Sequence, residues 1–278
     1  MSVGKWNPFK LIHHATIARQ KPAFSPDNLM SEAIQNQDDI GFEPDIHSST
    51  DDYAERFSGA AGNWLLQRQQ NVTLEYLGVL RAVKVLDVGG GHGQNIAVCE
   101  SLNLSLTISG SSAACEHRVR KLSTSDRTRF IIGKLDALPM DEQNYPVVIS
   151  YRIISHMQNW QMFIAELCRV SSDAVIIDFA SKRSINWFSE LAFLLKRGKE
   201  GDTRRYNVLS ESGVNQVFNE NGFKLAQRAP QFFFPMVIHR ALNSPKISDL
   251  LELLPRLLGL NYLFGSPVIS LYRRQLGV

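Results

Sequence analysis

The feature that most narrows the fold is an alternation of strand and helix patterns across residues 83–180, opened by VLDVGGGHGQ at residues 85–94. VKVLDV is a short apolar run suited to a strand covered on both faces, and it runs straight into four glycines. Residues 95–102 read as a helix, LSLTIS as the second strand, and residues 113–122 as the second helix. TRFIIGKL and YPVVISY follow as the third and fourth strands. Met157, Trp160, Phe163, Ile164 and Leu167 then recur at helical spacing, and DAVIIDFA is a fifth strand. Alternation of this length requires a parallel α/β sheet with helices on both faces. Right-handed crossovers make it doubly wound, and ligands of such sheets lie outside the carboxyl ends of the strands.

The flanks differ. Residues 1–50 are polar and punctuated by Pro26 and Pro44, which predicts an irregular segment with short helical pieces. Within residues 51–80, Trp64, Leu65, Leu66, Leu74, Leu77 and Leu80 predict a helix or helix pair that caps the sheet. We therefore expect one domain over 51–278, with its cofactor-binding half at 83–180 and a substrate-covering tail at 181–278. In that tail, residues 184–195 read as an apolar helix and KRGKEGDTRR as an exposed charged loop. Ser210 caps a helix that stops at Gly222. FKLAQRAPQFFFPMVIHR and SPVISLYRR read as two strands, separated by the Leu-rich ISDLLELLPRLLGLNYLF.

Charge and cysteine content remove several functions. A net charge of +3 is far from the cationic surface of a nucleic-acid binder, so no nucleic-acid partner is expected. Cys99, Cys115 and Cys168 form no C-x-x-C pair, which argues against a zinc site or a disulfide framework. The first twenty residues hold no continuous apolar stretch of a secretory signal, and a cytoplasmic location is expected.

The glycine turn has the spacing Gly89-x-Gly91-x-Gly93 with Asp87 two residues ahead and Gln94 behind. The dinucleotide fingerprint needs a third glycine three residues after Gly91, and a P-loop needs Gly-Lys-Ser/Thr; both are missing. The stretch resembles motif I, hhDxGxGxG, of class I S-adenosylmethionine-dependent methyltransferases. GKLDALPM at residues 133–140 looks like the GDAEALPF segment of the methyltransferase type 11 group, which includes the ubiquinone/menaquinone C-methyltransferases. YPVVISYRIISHMQNW is similar to that group's FDVVISxxxLHHLPD, FIAELCRV to the helix after it, and NENGF to the start of its end strands. The resemblance covers about residues 50–180 and, more loosely, the tail. It implies a mostly parallel seven-stranded Rossmann-like sheet with an N-terminal helical cap and an antiparallel C-terminal end. It also implies S-adenosyl-L-methionine as cofactor and methyl transfer as the activity.

Carried over residue by residue, the resemblance gives cofactor-binding roles to Asp87, Gly89, Gly91, Gly93 and Gln94. It extends them to Ser111, Asp136, Ala137 and Tyr151, and places Tyr53 and Arg56 where a helix folds over the cofactor's methionine carboxylate. Two positions depart from the pattern. The acid that ends the second strand and holds the ribose hydroxyls is Gly110, flanked by serines, and the Gly-Asp of the adenine site is Gly133-Lys134. Losing both anchors, at roughly 1–3 kcal/mol each, keeps open a methyltransferase-like accessory protein with weakened cofactor binding. If neighbouring side chains plug the turn, the enzymatic reading gives way to that one.

His156 follows the fourth strand at the carboxyl edge, where it serves either as catalytic base or as a helix cap beneath the cofactor. Arg152 on that edge is either a substrate contact or an exposed loop residue. His92 reads as a tolerated side chain, and His239 as a core histidine or a pocket residue. No metal is expected. The apolar tail suits a small lipophilic or aromatic acceptor, or peripheral contact with a membrane, or plain core packing. A spanning helix is excluded because Glu252, Pro255, Arg256, Gly259 and Pro267 interrupt the run.

Overall fold

A computed structural model describes residues 43–184 and 207–275. The chain begins in this region with two short helices, α1 (Pro44–Ser48) and α2 (Asp51–Glu55), followed by the long α3 (Gly59–Leu80). The sheet strands are β1 (Lys84–Val88), β2 (Ser105–Gly110), β3 (Thr128–Ile132), β4 (Tyr145–Ser150) and β5 (Ser171–Phe179). Between them lie α4 (Ile96–Ser101), α5 (Glu116–Leu122) and α6 (Trp160–Val170). The tail contributes α7 (Glu211–Glu220), β6 (Phe223–Phe232), α8 (Met236–Leu242), α9 (Pro245–Leu257), α10 (Leu260–Phe264) and β7 (Ser266–Arg274).

The seven strands order as β3-β2-β1-β4-β5-β7-β6. The first five are parallel, whereas β7 enters antiparallel between β5 and β6. The expected mostly parallel sheet with an antiparallel end is therefore present. Because β7 opposes both neighbours, β6 runs in the same sense as β5, and its carboxyl end at Phe232 reaches the edge where β1 and β4 end.

Alternation along the strands sorts side chains into two cores. Leu86 and Val88 face a layer containing Phe163 and Leu167 of α6 and Phe218 of α7. Val85, Ile108 and Ile149 face the opposite layer, with Tyr76 and Leu77 of α3 and Cys99 of α4. The ring of Tyr272 stacks on Phe218 at 3.6 Å between centroids. All three cysteines are free and buried.

The run through VIHR is not strand: β6 stops at Phe232, and residues 236–242 are helical. The cause is local, since Pro235 has no N–H to give a ladder and stands as the N-cap of α8. The N–H groups of Phe233 and Phe234 donate instead to the Glu252 carboxylate, both at 3.0 Å. The apolar helix expected over 184–195 and the charged loop at 196–205 fall outside the described residues, apart from Ser184.

Candidate functional site

At the carboxyl edge, Gly89 continues the β1 ladder by donating its N–H to the Ser109 carbonyl at 2.8 Å. The chain then turns through Gly90–His92. Gly89 and Gly93 have φ of +71° and +77°, where a side chain would strain the backbone. Gly91 is required for a different reason, since a Cβ there would lie 2.0 Å from Ser49 Oγ.

Asp87 is buried beneath this turn. Its Oδ2 accepts from Asn95 Nδ2 at 2.9 Å, and its Oδ1 is buried without a hydrogen-bond partner among the described residues. Burial pushes its carboxyl up to about 7, against the lowering effects of the Asn95 bond and the Arg152 charge. A carboxylate oxygen held dry and partnerless at a strand end is suited to receive a cationic donor from outside the chain.

Arg152 organises the space between β1, β4 and β5. It follows β4 with a φ of +64°, its N–H donates to Asp178 Oδ1 at 2.6 Å, and Nη2 donates to Gln69 Oε1 at 2.8 Å. The same Nη2 donates to Gln94 Oε1, and the guanidinium lies 4.3 Å from the Phe57 ring centroid. Burial raises the Asp178 carboxyl to about 6, opposed by the Arg152 N–H and charge. The exposed loop arginine weighed above is thus a half-buried hub. His92 packs edge-on against Tyr53 and Phe57, and both ring nitrogens lack partners among the described residues. Burial, then the Arg152 and Arg118 charges, lower it to about 3, so it is neutral at any ordinary pH.

The remaining expected residues are distributed around this centre. Gln94 and Ser111 lie at the edge, half-buried, while Asp136 and Ala137 are exposed in a tight turn closed by Ala137 N–H to Lys134 O at 3.3 Å. Tyr53 is half-buried beside the glycine turn; Arg56 is exposed, with its guanidinium over the Tyr53 ring at 5.3 Å. Tyr151 is buried in the core, and its hydroxyl meets Thr73 Oγ1 of α3 at 2.9 Å. His156 closes the single turn Ile154–His156 after β4, half-buried. His239 is a core residue whose Nε2 contacts Glu252 Oε1 at 3.0 Å.

Sequence reasoning expected short helical pieces here but not that one of them, α1, packs on the glycine turn. Asp45 is fully buried against Ser111, Ser49 rests on Gly91, and Ile153 covers Gly89. Lys134, by contrast, is exposed. Asn95 and Asp178 were also missed as site residues. Asn95 lies two residues after Gly93, and that nearness to the glycine motif was a usable signal; nothing local marks Asp45.

The groups present fit an amino-acid-tailed cationic nucleoside at the turn and at Asp87, with α1 lying directly over the turn. Among the described residues, no cluster of His, Cys, Asp and Glu could hold a metal ion. Further along the same edge, Phe233, Phe234, Ile247, Leu250, Leu254 and Leu258 wall an open groove of about 510 Å³.

Comparison with known proteins places this arrangement. The fold is similar to magnesium protoporphyrin IX methyltransferase from Synechocystis PCC 6803, solved with bound SAH, at 16% identity and a TM-score of 0.53. That match covers 78% of this chain and 86% of the other. The same enzyme solved with SAM matches at 14% identity and a TM-score of 0.52, covering 92% and 100%. The YcgJ protein of Bacillus subtilis matches at 12% identity and a TM-score of 0.50, covering 75% and 98%. No curated protein matches the chain by sequence. A methyltransferase-domain family matches residues 45–228, more than half of the chain. With that match, this sheet order and this glycine turn, the chain belongs to the methyltransferase-domain family and has the class I S-adenosylmethionine-dependent fold.

Proposed function

We propose that the protein is an S-adenosylmethionine-dependent methyltransferase that modifies an oxygen or carbon of a small lipophilic or aromatic acceptor. The observation that carries this reading is the buried, partnerless Oδ1 of Asp87 beneath the glycine turn. It suits the ammonium of a methionine moiety, with Gly89, Gly91, Gly93 and Gln94 supplying backbone and side-chain contacts. Ser111, Asp136 and Ala137 belong to the same proposed cofactor surface, to which the core residue Tyr151 would offer only its backbone, and Tyr53 with Arg56 belong to its cover. The cofactor supplies an already activated methyl group, so the chain's task is to orient the acceptor and exclude water. Arg152 fixes the relative positions of β1, β4, β5 and α3 around that space. His156, at the same edge, is the proposed base for a hydroxyl or an acidic carbon.

The apolar groove beyond β6 supports the lipophilic acceptor, as does the surface around it. Val237, Leu250, Leu254, Leu257, Leu258 and Tyr262 are each at least 63% exposed. Lys246 and Arg256 are exposed among them, while Asp249 pairs with Arg68 and Glu252 is turned inward. An apolar face edged with cations suits peripheral contact with an anionic membrane, from which a lipophilic acceptor would be drawn. No helix among the described residues is long and apolar enough to cross a membrane. The proposed location is the cytoplasm, and no nucleic-acid partner is proposed.

A second reading, an accessory protein with weakened cofactor binding, draws support from Ser49 and Ile153 packing directly on the turn. Calorimetry separates the two. Saturable binding of S-adenosylmethionine and S-adenosylhomocysteine without NAD(H) supports the enzyme, and silence toward all three supports the accessory role. Incubation with extract and methyl-labelled cofactor, followed by mass spectrometry of small molecules, then identifies the acceptor by its added methyl.

A further inference from the structure

The end of β2 cannot carry an acid in this chain. A Cβ on Gly110 would lie 2.7 Å from the Phe130 ring and 2.8 Å from Cys115 Cβ, so no side chain fits there without moving the β2–β3 core. A carboxylate nevertheless stands at that place, brought from another element. Asp45 of α1 is fully buried, with Oδ2 accepting from the Ser111 N–H at 2.6 Å and Oδ1 accepting from Ser111 Oγ at 2.6 Å. Cys115 Sγ adds a weaker bond to Oδ2 at 3.4 Å. The donors are therefore the residue immediately after Gly110 and the cysteine that blocks Gly110.

We propose that Asp45 is the ribose-binding carboxylate of this protein, supplied by α1 in place of the missing acid on β2. The inference rests on the cofactor reading above and deepens it. Three physical points carry it. Asp45 forms no ion pair among the described residues, and an anion buried without a cation is costly unless hydrogen bonds hold it, as these do. A carboxylate can accept roughly four hydrogen bonds, and three are in use, so capacity remains for a hydroxyl. The Ser111 hydroxyl can also rotate from Asp45 toward a ligand oxygen, freeing Oδ1 for a second one.

The position suits the diol and not the amino-acid end. β1 and β2 are parallel neighbours, with Asp87 paired to Ile108, so Ser111 stands one strand over and three residues further along, roughly 10 Å beyond the level of Asp87. A nucleoside whose ammonium meets Asp87 lays its sugar one strand over, toward Ser111. The Asp45 carbonyl accepts from Ser49 Oγ at 2.6 Å, so the carboxylate and the residue resting on Gly91 are held as one piece. Because Asp45 is enclosed, a ribose reaches it as α1 lifts, and closure of α1 then returns the acid to the hydroxyls.

The test pairs a ribose change with an Asp45 change. Binding of S-adenosylhomocysteine and its 2′-deoxy and 3′-deoxy analogues is measured by calorimetry on the full chain, on Asp45→Asn and on Asp45→Ala. The full chain is expected to favour the intact ribose by about tenfold, as a hydrogen bond to a charged group contributes on that scale. Asp45→Ala is expected to bind the nucleoside and its deoxy analogues alike, with the affinity the full chain has for the deoxy forms. Asp45→Asn, which keeps the size and one acceptor, should fall between. Asp173→Ala, a partner of Arg273 at the opposite end of β5, should change nothing. Two results overturn the proposal alone: a full chain indifferent to deoxygenation, or an Asp45→Ala variant that binds as tightly as the parent or more so, which would make α1 a plug. The first needs no variant and stands even if the substitutions unfold the protein. A full chain that binds no nucleoside overturns the cofactor reading itself, and this inference with it.

Discussion

Asp87 shows how the site trades stability for a binding group. Its folded-state carboxyl titrates near 7 because burial opposes the charge, whereas an unfolded Asp titrates near 3.8. The fold therefore favours the protonated form, and the destabilisation from Asp87 grows as pH rises from about 4 to 7 and then levels off. Asp87→Asn keeps the bond from Asn95 and removes the buried charge. It is expected to stabilise the protein by up to about 4 kcal/mol at pH 8 and clearly less at pH 5. The same substitution should weaken S-adenosylhomocysteine binding at least tenfold. Thermal melts at the two pH values and one titration check both signs; equal melting gains at pH 5 and pH 8 would refute the assignment. Asp87 and the glycines were legible because each role is written within seven consecutive residues. Asp45 was not, since its partner Ser111 lies 66 positions away and only the packing of α1 brings them together.

At the level of elements, the parallel strands declared themselves through short apolar runs, and Ser210 and Gly222 bounded α7 as read: the Ser210 hydroxyl accepts from the Gly213 N–H at 3.2 Å, and Gly222 takes φ +78°. The stretch after β6 misled because VIHR is too short for periodicity to separate strand from helix. What decides it is Glu252 of α9. Its buried carboxylate accepts from the N–H groups of Phe233 and Phe234, from Asn261 Nδ2 at 2.6 Å, and pairs with His239. One side chain thus ties the end of β6 to α8, α9 and α10. Burial alone would raise the Glu252 carboxyl, but the His239 bond and the backbone donors hold it below its ordinary value. Its contribution is present above pH 4.5 and fades as pH falls through the lowered value. Glu252→Ala is expected to cost about 3–5 kcal/mol, as removal of one partner from a buried charged network does. Limited proteolysis should then cut first within residues 233–264; an unchanged cleavage pattern and melting temperature would contradict this.

Across the whole molecule, the sequence placed greasy residues in the tail but could not say which way they point. Composition alone is compatible with a covered core, and only the packing of α8 and α9 against α3 leaves Leu254 and Leu257 at 63% and 75% exposure. If that face meets anionic membranes, the protein should sediment with vesicles containing phosphatidylglycerol and stay in solution with purely zwitterionic ones. The double change Leu254→Asp, Leu257→Asp should reduce binding at least tenfold without lowering the melting temperature, because both side chains already face water. Raising salt should weaken the interaction by screening Lys246 and Arg256. Sedimentation indifferent to both changes would exclude this face as the contact.

The insertion of β7 between β5 and β6 also bears on how the protein is made. Ribosomes emit residues 171–179 and 223–232 before residues 266–274, yet these two earlier strands never touch each other in the finished sheet. Until the last strand emerges, each shows a naked hydrogen-bonding rim, a ready target for mispairing with a neighbouring nascent chain. Translation speed through the α8–α10 region, and chaperone supply at that moment, should therefore govern the yield of native protein.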